Sequence, residues 1–369
     1  MGATNYKGVK TLIELFNNRQ DLQSFYPEAG EGDLAKLVAW ALEFGTSIDG
    51  AKDLLLPYWK EFRDFNQAEY NNSFTWDNSV EHYIPDGFKI YWEMLNRVSS
   101  YQFECISGNW NLDLLTYTIN ILRKNFSDKK IRAGIIGCSE MGRPEIKLSK
   151  TKMFSEIVVM DIAKNLLEQQ QEKAVAENIR NIEYRQTDFN DFILNEDEFD
   201  YINAWGTIHH IKNLEHFFAQ IQKGLKKDGI MIIREYVGPD YLQFTDLQLN
   251  IVNLLLSLLP DEFKYFQNQK DIKNTEYRVS KEKLMQLDPT ESVRSGEILK
   301  IMNEYFEVIE FKKTGGTILH PLLNGIAGNF DKDPKGDKVL KGLIDIEKGL
   351  INSDMLPSDF VYIVAKSKK

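Results

Sequence analysis

Two histidines stand side by side at His209-His210, and the whole 369-residue chain has only five. Unperturbed imidazole titrates near neutrality, so either can take a proton from a hydroxyl. Neighbouring side chains at a helix start point about a hundred degrees apart, so one of the pair faces a cleft while the other turns away. The sequence does not say which, and a histidine here can equally cap the helix that follows. Glu235 ends a later apolar run. It can orient one of the histidines or bind a hydroxyl, or it can be an ordinary acid at a strand end.

A second set of residues has the chemistry to hold a nucleoside. Gly137-Cys138-Ser139-Glu140-Met141-Gly142 is a glycine turn, which lets backbone approach a ligand. A dinucleotide fingerprint needs glycine where Ser139 stands, because a Cβ there obstructs a pyrophosphate. Asp161 follows Gly142 by 161 − 142 = 19 residues, a separation at which an acid accepts hydrogen bonds from ribose hydroxyls. Asp188-Phe189 offers a carboxylate for an adenine amino group and an aromatic to cover the ring. Taken singly, each aspartate would more often be a helix cap. Their order along the chain gives them weight.

That order comes from the elements that must position them. Short apolar runs at 131–136, 156–160, 182–185, 201–204 and 229–235 read as strands, with helical periodicity over 164–178 and 215–225. Strands alternating with helices predict βαβ units and a parallel sheet, which binds ligands across the carboxyl ends of its strands. Glycine turn, Asp161, Asp188-Phe189 and the string Phe199-Asp-Tyr-Ile-Asn-Ala-Trp-Gly-Thr-Ile-His-His-Ile each follow a strand, as one pocket requires. Two further strands are expected at 306–312 and 360–366. A long excursion at 238–299 is too long for a plain connector. Residues 1 to about 100 carry helical apolar faces around Leu12, Leu37, Trp59 and Trp92.

Over residues 130–240 the chain resembles the class I S-adenosylmethionine-dependent methyltransferases, particularly the bacterial small-molecule and sugar O-methyltransferase type. The segment Leu225-Lys-Lys-Asp-Gly-Ile-Met-Ile-Ile-Arg-Glu looks like that family's fifth strand, although the family's G-x-G-x-G turn is here interrupted by Ser139 and Met141. The resemblance implies an α/β fold: a seven-stranded Rossmann-like sheet with an antiparallel terminal strand. A helical N-terminal domain (1–100, a cap or dimerisation module) would precede the methyltransferase domain (101–369), whose 238–299 insertion would form a helical lid. It implies S-adenosyl-L-methionine as cofactor, with Gly137, Cys138, Ser139 and Gly142 on its methionine and ribose portion. Asp161 would take the ribose, Ile162, Asp188 and Phe189 the adenine, and Ala204 and Trp205 the sulfonium side. His209, His210 and Glu235 are the candidate catalytic residues; Tyr236, Arg294 and His320 are candidate substrate contacts. The strings 235–246 and 315–330 look similar to stretches of saccharide-pathway methyltransferases, which points to a sugar hydroxyl as acceptor.

Composition narrows the partners. Hydrophobic residues make up 43% and charged residues 27%, the balance of a globular protein with a sizeable core. A net charge of −10 provides no global field for a phosphate backbone, and the fourth strand end lacks the Asn/Asp-Pro-Pro-Tyr of DNA amine methyltransferases. No nucleic-acid or membrane partner is expected. The acceptor is expected to be a small molecule, and self-association stays open. Two cysteines and no visible signal segment fit the cytoplasm. No metal is expected, since neither zinc spacing nor a convergent carboxylate set stands out. Two other readings compete: a nicotinamide-dependent oxidoreductase using Tyr277-x-x-x-Lys281, and a non-catalytic cofactor-binding or interaction protein.

Overall fold

The structure is a computed structural model that describes residues 89, 91–127, 129–138, 144–266 and 269–369. The expected helical faces around Leu12, Leu37 and Trp59, and the expected cofactor contacts Ser139 and Gly142, lie outside the described residues. After a short 3-10 turn at Trp92–Met94 the elements run α1 (Asn96–Ser107), α2 (Leu114–Phe126), β1 (Ile131–Ile136), α3 (Pro144–Lys150), β2 (Phe154–Asp161), α4 (Lys164–Ala176), β3 (Ile182–Gln186) and β4 (Phe199–Trp205). They continue with α5 (Leu214–Gly224), β5 (Leu225–Tyr236), α6 (Asp246–Leu258), α7 (Lys281–Leu287), α8 (Ile298–Tyr305), β6 (Phe306–Lys313), α9 (Leu319–Leu323), α10 (Pro334–Asn352) and β7 (Phe360–Ser367).

The strands form one seven-stranded sheet in the order β3-β2-β1-β4-β5-β7-β6. β1 to β5 are mutually parallel, and β7 runs antiparallel to both β5 and β6. Central parallel strands are covered on both faces and must be apolar on both. This is why β4 is buried over its first six residues. One face packs Leu122 of α2, Leu148 of α3 and Leu167 of α4 against Ile135 and Tyr201. The other packs Phe217, Phe218 and Ile221 of α5 and Ile301 and Met302 of α8 against Ile202 and Ala204. β1 leads outward to β2 and β3, whereas β4 leads the other way to β5. The strand order therefore reverses between β1 and β4, and a crevice opens beyond their carboxyl ends. The sheet, its order and the antiparallel last strand agree with the class expected from sequence.

The compact units are drawn differently from the expected domains. Among the described residues, one unit takes those up to Gln102 with Phe244–Arg278 and Gly315–Ser358, and the other takes Phe103–Gln243, Val279–Thr314 and Asp359–Lys369. The excursion expected as a single 238–299 insertion is thus divided at Phe244 and Val279. In the first unit α6 is buried along most of its length, starting from a capping box between Thr245 and Gln248. The fully buried Glu347 of α10 accepts N–H bonds from Gly316, Ile318 and Leu319 and so fixes the turn into α9. The second unit holds the whole sheet.

Candidate active site

β1 ends at Ile136, and Gly137 turns the chain at φ 90°. That is left-handed backbone, which only glycine adopts cheaply. Space demands glycine here too, because a Cβ would lie 2.1 Å from Thr207 Oγ1. Gly137→Ala is expected to cost about 2–4 kcal/mol, combining backbone strain with overpacking. Urea unfolding measures this, and Thr207→Ala in the same chain should recover the packing part only.

β2 ends at Asp161, whose two oxygens are already in use by backbone. Oδ2 accepts the Cys138 N–H at 2.7 Å and Oδ1 accepts the Ala163 N–H at 2.8 Å. The carboxylate therefore ties the end of β2 to the turn after β1, and each oxygen keeps a lone pair for a further donor. Ile162, next in sequence, is 60% exposed although apolar. After β3, Asp188 Oδ1 accepts from the backbone and side-chain nitrogens of Asn190. Phe189 beside it is buried edge-on against Phe192 and Phe217.

These groups converge. A cavity of about 690 Å³ is lined by Gly137, Cys138, Asp161, Ile162, Asp188 and Phe189 together with Asn203, Trp205, Thr207, His210, Arg234 and Thr290. It lies at the carboxyl ends of β1 and β4, where the strand order reverses. Carboxylates backed by N–H groups beside exposed apolar surface are what an adenosine presents its hydroxyls, amine and ring to.

The two histidines part company here. His210 lines the cavity. Its Nδ1 lies 3.2 Å from Thr290 Oγ1, and that hydroxyl donates its hydrogen to Asp288 Oδ1 at 2.7 Å. A carboxylate only accepts, so the hydroxyl oxygen must accept from the imidazole, and the network assigns the proton of His210 to Nδ1. Nε2 is left with its lone pair. Burial and the neighbouring His209 ring push the His210 pKa below 6.5, against the pull of Glu291, Asp288 and Glu235. The ring is neutral at pH 7. The segment after Thr290 is tied down twice: the Val293 N–H donates to the His209 carbonyl, and Ser295 Oγ donates to the Gly238 carbonyl.

His209 stacks beside His210, ring centroids 4.1 Å apart, and gives its Nδ1–H to Glu235 Oε1 at 2.5 Å. Glu235 is 0% exposed and also accepts the N–H groups of Thr207, Ile208 and Tyr236. It is the acceptor that shapes the turn after β4 and cannot meet a sugar hydroxyl, one of the roles the sequence left open for it. Glu235→Ala should cost about 3 kcal/mol or more, at roughly 1–3 kcal/mol for each orphaned buried donor, measured by chemical denaturation. His209, His210 and Glu291 offer ligand atoms within 4.8 Å of one another.

The remaining expected contacts fall elsewhere. Ala204 belongs to the core on the opposite face, because side chains alternate along a strand and Asn203 and Trp205 take the cavity side. Tyr236 is buried, its hydroxyl donating to the Pro239 carbonyl. Arg294 makes paired bonds to Glu215 and Glu297 and one to the Lys212 carbonyl, which hold Glu215 down to about 2 and leave the guanidinium no substrate to meet. His320 stacks on Trp92 and meets Phe244 edge-on in the other unit; it does not line the cavity. Tyr277 is 73% exposed and the Lys281 ammonium lies over the Tyr241 ring. Neither lines the cavity, so the oxidoreductase pair has no place in it. Asn190, Asn203, Arg234 and Thr290 went unnoticed in the sequence. Only the period-two alternation through Asn203 and Trp205 could have found one of them.

Residues 136–305 match the family model described as a methyltransferase domain. That stretch of the chain is a methyltransferase domain. No curated protein matches it in sequence. Solved structures similar to it include the [4+2]-cyclase SpnF, at 12% identity and TM-score 0.41, with 75% of this chain and 86% of that one covered. A methyltransferase from Mesorhizobium loti shares 10% identity at TM-score 0.39 over 67% of this chain and 96% of that one. The geranyl diphosphate C-methyltransferase from Streptomyces coelicolor A3(2) shares 12% identity at TM-score 0.41 over 73% and 82%. The matched stretch begins at the end of β1 and takes in every strand end that lines the cavity. Among the described residues, no helix is long and apolar enough to cross a membrane.

Proposed function

We propose that the protein methylates a hydroxyl group on a sugar or sugar-bearing small molecule, with His210 as general base. The observation that carries this reading is the position of His210 in the wall of two neighbouring cavities. One is the nucleoside-shaped cavity; the other, of about 520 Å³, is lined by Asn190, His210, Lys212, Asn213, Pro289, Thr290 and Val293. Asn190, Lys212, Asn213 and Thr290 in the wall of the second could meet a hydroxylated acceptor, and the similarity of the 235–246 and 315–330 strings to saccharide-pathway enzymes points the same way.

The residues present fit the cofactor. Asp161 would hold the ribose hydroxyls, Asp188 the adenine amine through its uncommitted Oδ2, and Ile162 and Phe189 the ring. Bound there, S-adenosylmethionine supplies an activated sulfonium methyl. The chain's own contribution is placement and proton transfer. His210 Nε2 takes the proton of the acceptor hydroxyl as its oxygen becomes nucleophilic. Asp288 and Glu291, whose charges favour the imidazolium, steady the product of that transfer.

The pH dependence follows in sign. A base must be neutral to act, and the His210 pKa lies below 6.5. The rate should therefore reach a plateau on the alkaline side and fall as acid protonates the ring, with its midpoint under 6.5. The test is a kcat/KM profile on a panel of free and glycosylated hydroxyl acceptors, with methylated product identified by mass spectrometry. An acid limb with its midpoint above 6.5, or one that survives in His210→Ala, contradicts the base. Transfer to amines or carbon alone contradicts the acceptor class.

A further inference from the structure

The smaller cavity has a charge in its wall that methyl transfer to a hydroxyl does not use. Among the described residues that line it, Lys212 alone is permanently charged, and none is a carboxylate. The backbone of Lys212 is clamped on both sides: its N–H donates to Asn190 Oδ1 at 3.0 Å, and its carbonyl accepts from Arg294 Nη1 at 3.0 Å. Its side chain is exposed. Among the described residues no carboxylate or carbonyl takes a bond from its ammonium.

The acids on the surrounding segments are committed elsewhere. Glu215, the acid next after Lys212 in sequence, shares Arg294 with Glu297. Asp288 Oδ1 accepts from the Thr290 N–H and hydroxyl, and Glu291 Oε1 accepts from Ser292 Oγ. A lysine on open surface is satisfied by water and counterions and calls for nothing. Lys212 differs because it stands two residues from the proposed base, in the wall of the cavity that His210 also lines. A cavity wall of one sign concentrates the opposite charge. Here it does so on a chain of net charge −10, whose overall field repels anions.

We infer that the acceptor is an anion, whose carboxylate or phosphate group meets the Lys212 ammonium while its hydroxyl meets His210 Nε2. The inference rests on the hydroxyl-methylation reading and narrows it to acidic acceptors such as a uronate or a sugar phosphate. An ammonium is a compact point charge without the fork that selects one planar anion, so both sources fit it. The chemical step is unchanged. The anion stays intact, the hydroxyl gives its proton to Nε2, and its oxygen takes the methyl that leaves sulfur. Lys212 sets specificity and moves no proton.

Matched acceptors test this on the full chain: methyl hexosides of gluco, galacto and manno configuration, each as the neutral sugar, the uronate and the 6-phosphate. Wild type should use at least one acidic form with kcat/KM about fivefold or more above its neutral parent, the worth of an exposed ion pair. Added salt should erode that preference, because it screens an exposed charge. Lys212→Met should lower the acid-to-neutral ratio about fivefold, and Lys212→Glu about twentyfold, since repulsion then replaces attraction. Lys212→Arg should keep it. The side chain is exposed, so the variants should fold, and a ratio between two acceptors is blind to a general loss of activity. Preference for uronates alone or for phosphates alone identifies the anion. Equal use of neutral and acidic forms, or a ratio unmoved by Lys212→Glu, overturns the inference and leaves hydroxyl methylation standing. If no hydroxyl in the panel is methylated, that reading fails and takes this inference with it.

Discussion

Alanine in place of His210 is expected to lower kcat by about 10²–10⁴-fold, the usual worth of a positioned general base, while the Kd for S-adenosylhomocysteine moves only a few-fold. The asymmetry follows from where the ring sits. His210 lines the cavity and shares no hydrogen bond with Asp161 or Asp188, the carboxylates suited to adenosine. Its tautomer is set by Thr290, whose hydrogen is committed to Asp288. Thr290→Ala should therefore lower kcat as well, by less, since it frees the tautomer without removing the base. Alanine at His209 is expected to act differently. That ring is tied to the buried Glu235 and should affect stability more than the chemical step. Comparable kcat losses at 209 and 210 with unchanged folding would move the base to His209.

The second large effect belongs to Asp161. Asp161→Ala is expected to weaken S-adenosylhomocysteine at least about a hundredfold, because one carboxylate does two jobs. It would accept from the ribose, a charge-assisted bond worth roughly 1.5–3 kcal/mol, and it already ties Cys138 and Ala163 into the pocket wall. Removing it orphans both N–H groups and releases the turn at Gly137. Asp161→Asn keeps one acceptor oxygen and should fall between wild type and alanine. Calorimetry separates the three. A Kd for Asp161→Ala within threefold of wild type would remove Asp161 from the site.

What the sequence could convey divides along physical lines. The strands were legible because the interior of a parallel sheet demands unbroken apolar runs, and Ile131–Ile136 carried that signal to the residue. β5 was not legible at its start: Lys226 to Asp228 are polar, and the strand reaches back to Leu225, which pairs with Phe199 of β4. Asp161 and Asp188 could be picked out because Asp161 closes β2 and Asp188 lies two residues past β3. Ala204 was misplaced through neglect of period-two alternation, which gives Asn203 and Trp205 the cavity face. The choice between His209 and His210 was beyond sequence, since it depends on Glu235 and Thr290, 26 and 80 residues away. Arg294 carried no sign in the sequence that Glu215, 79 residues earlier, would claim it. The split of the 238–299 excursion between two units was equally unreadable from an apolar pattern.

The account turns on a single adenosine being shared by Asp161 and Asp188, and a crystal structure with S-adenosylhomocysteine tests that most directly. The ribose hydroxyls should lie within hydrogen-bond distance of Asp161, with the adenine amine on Asp188 Oδ2 and its ring against Ile162 and Phe189. Nucleoside density that reaches only one of these carboxylates, or that lies in another cavity, would contradict the account.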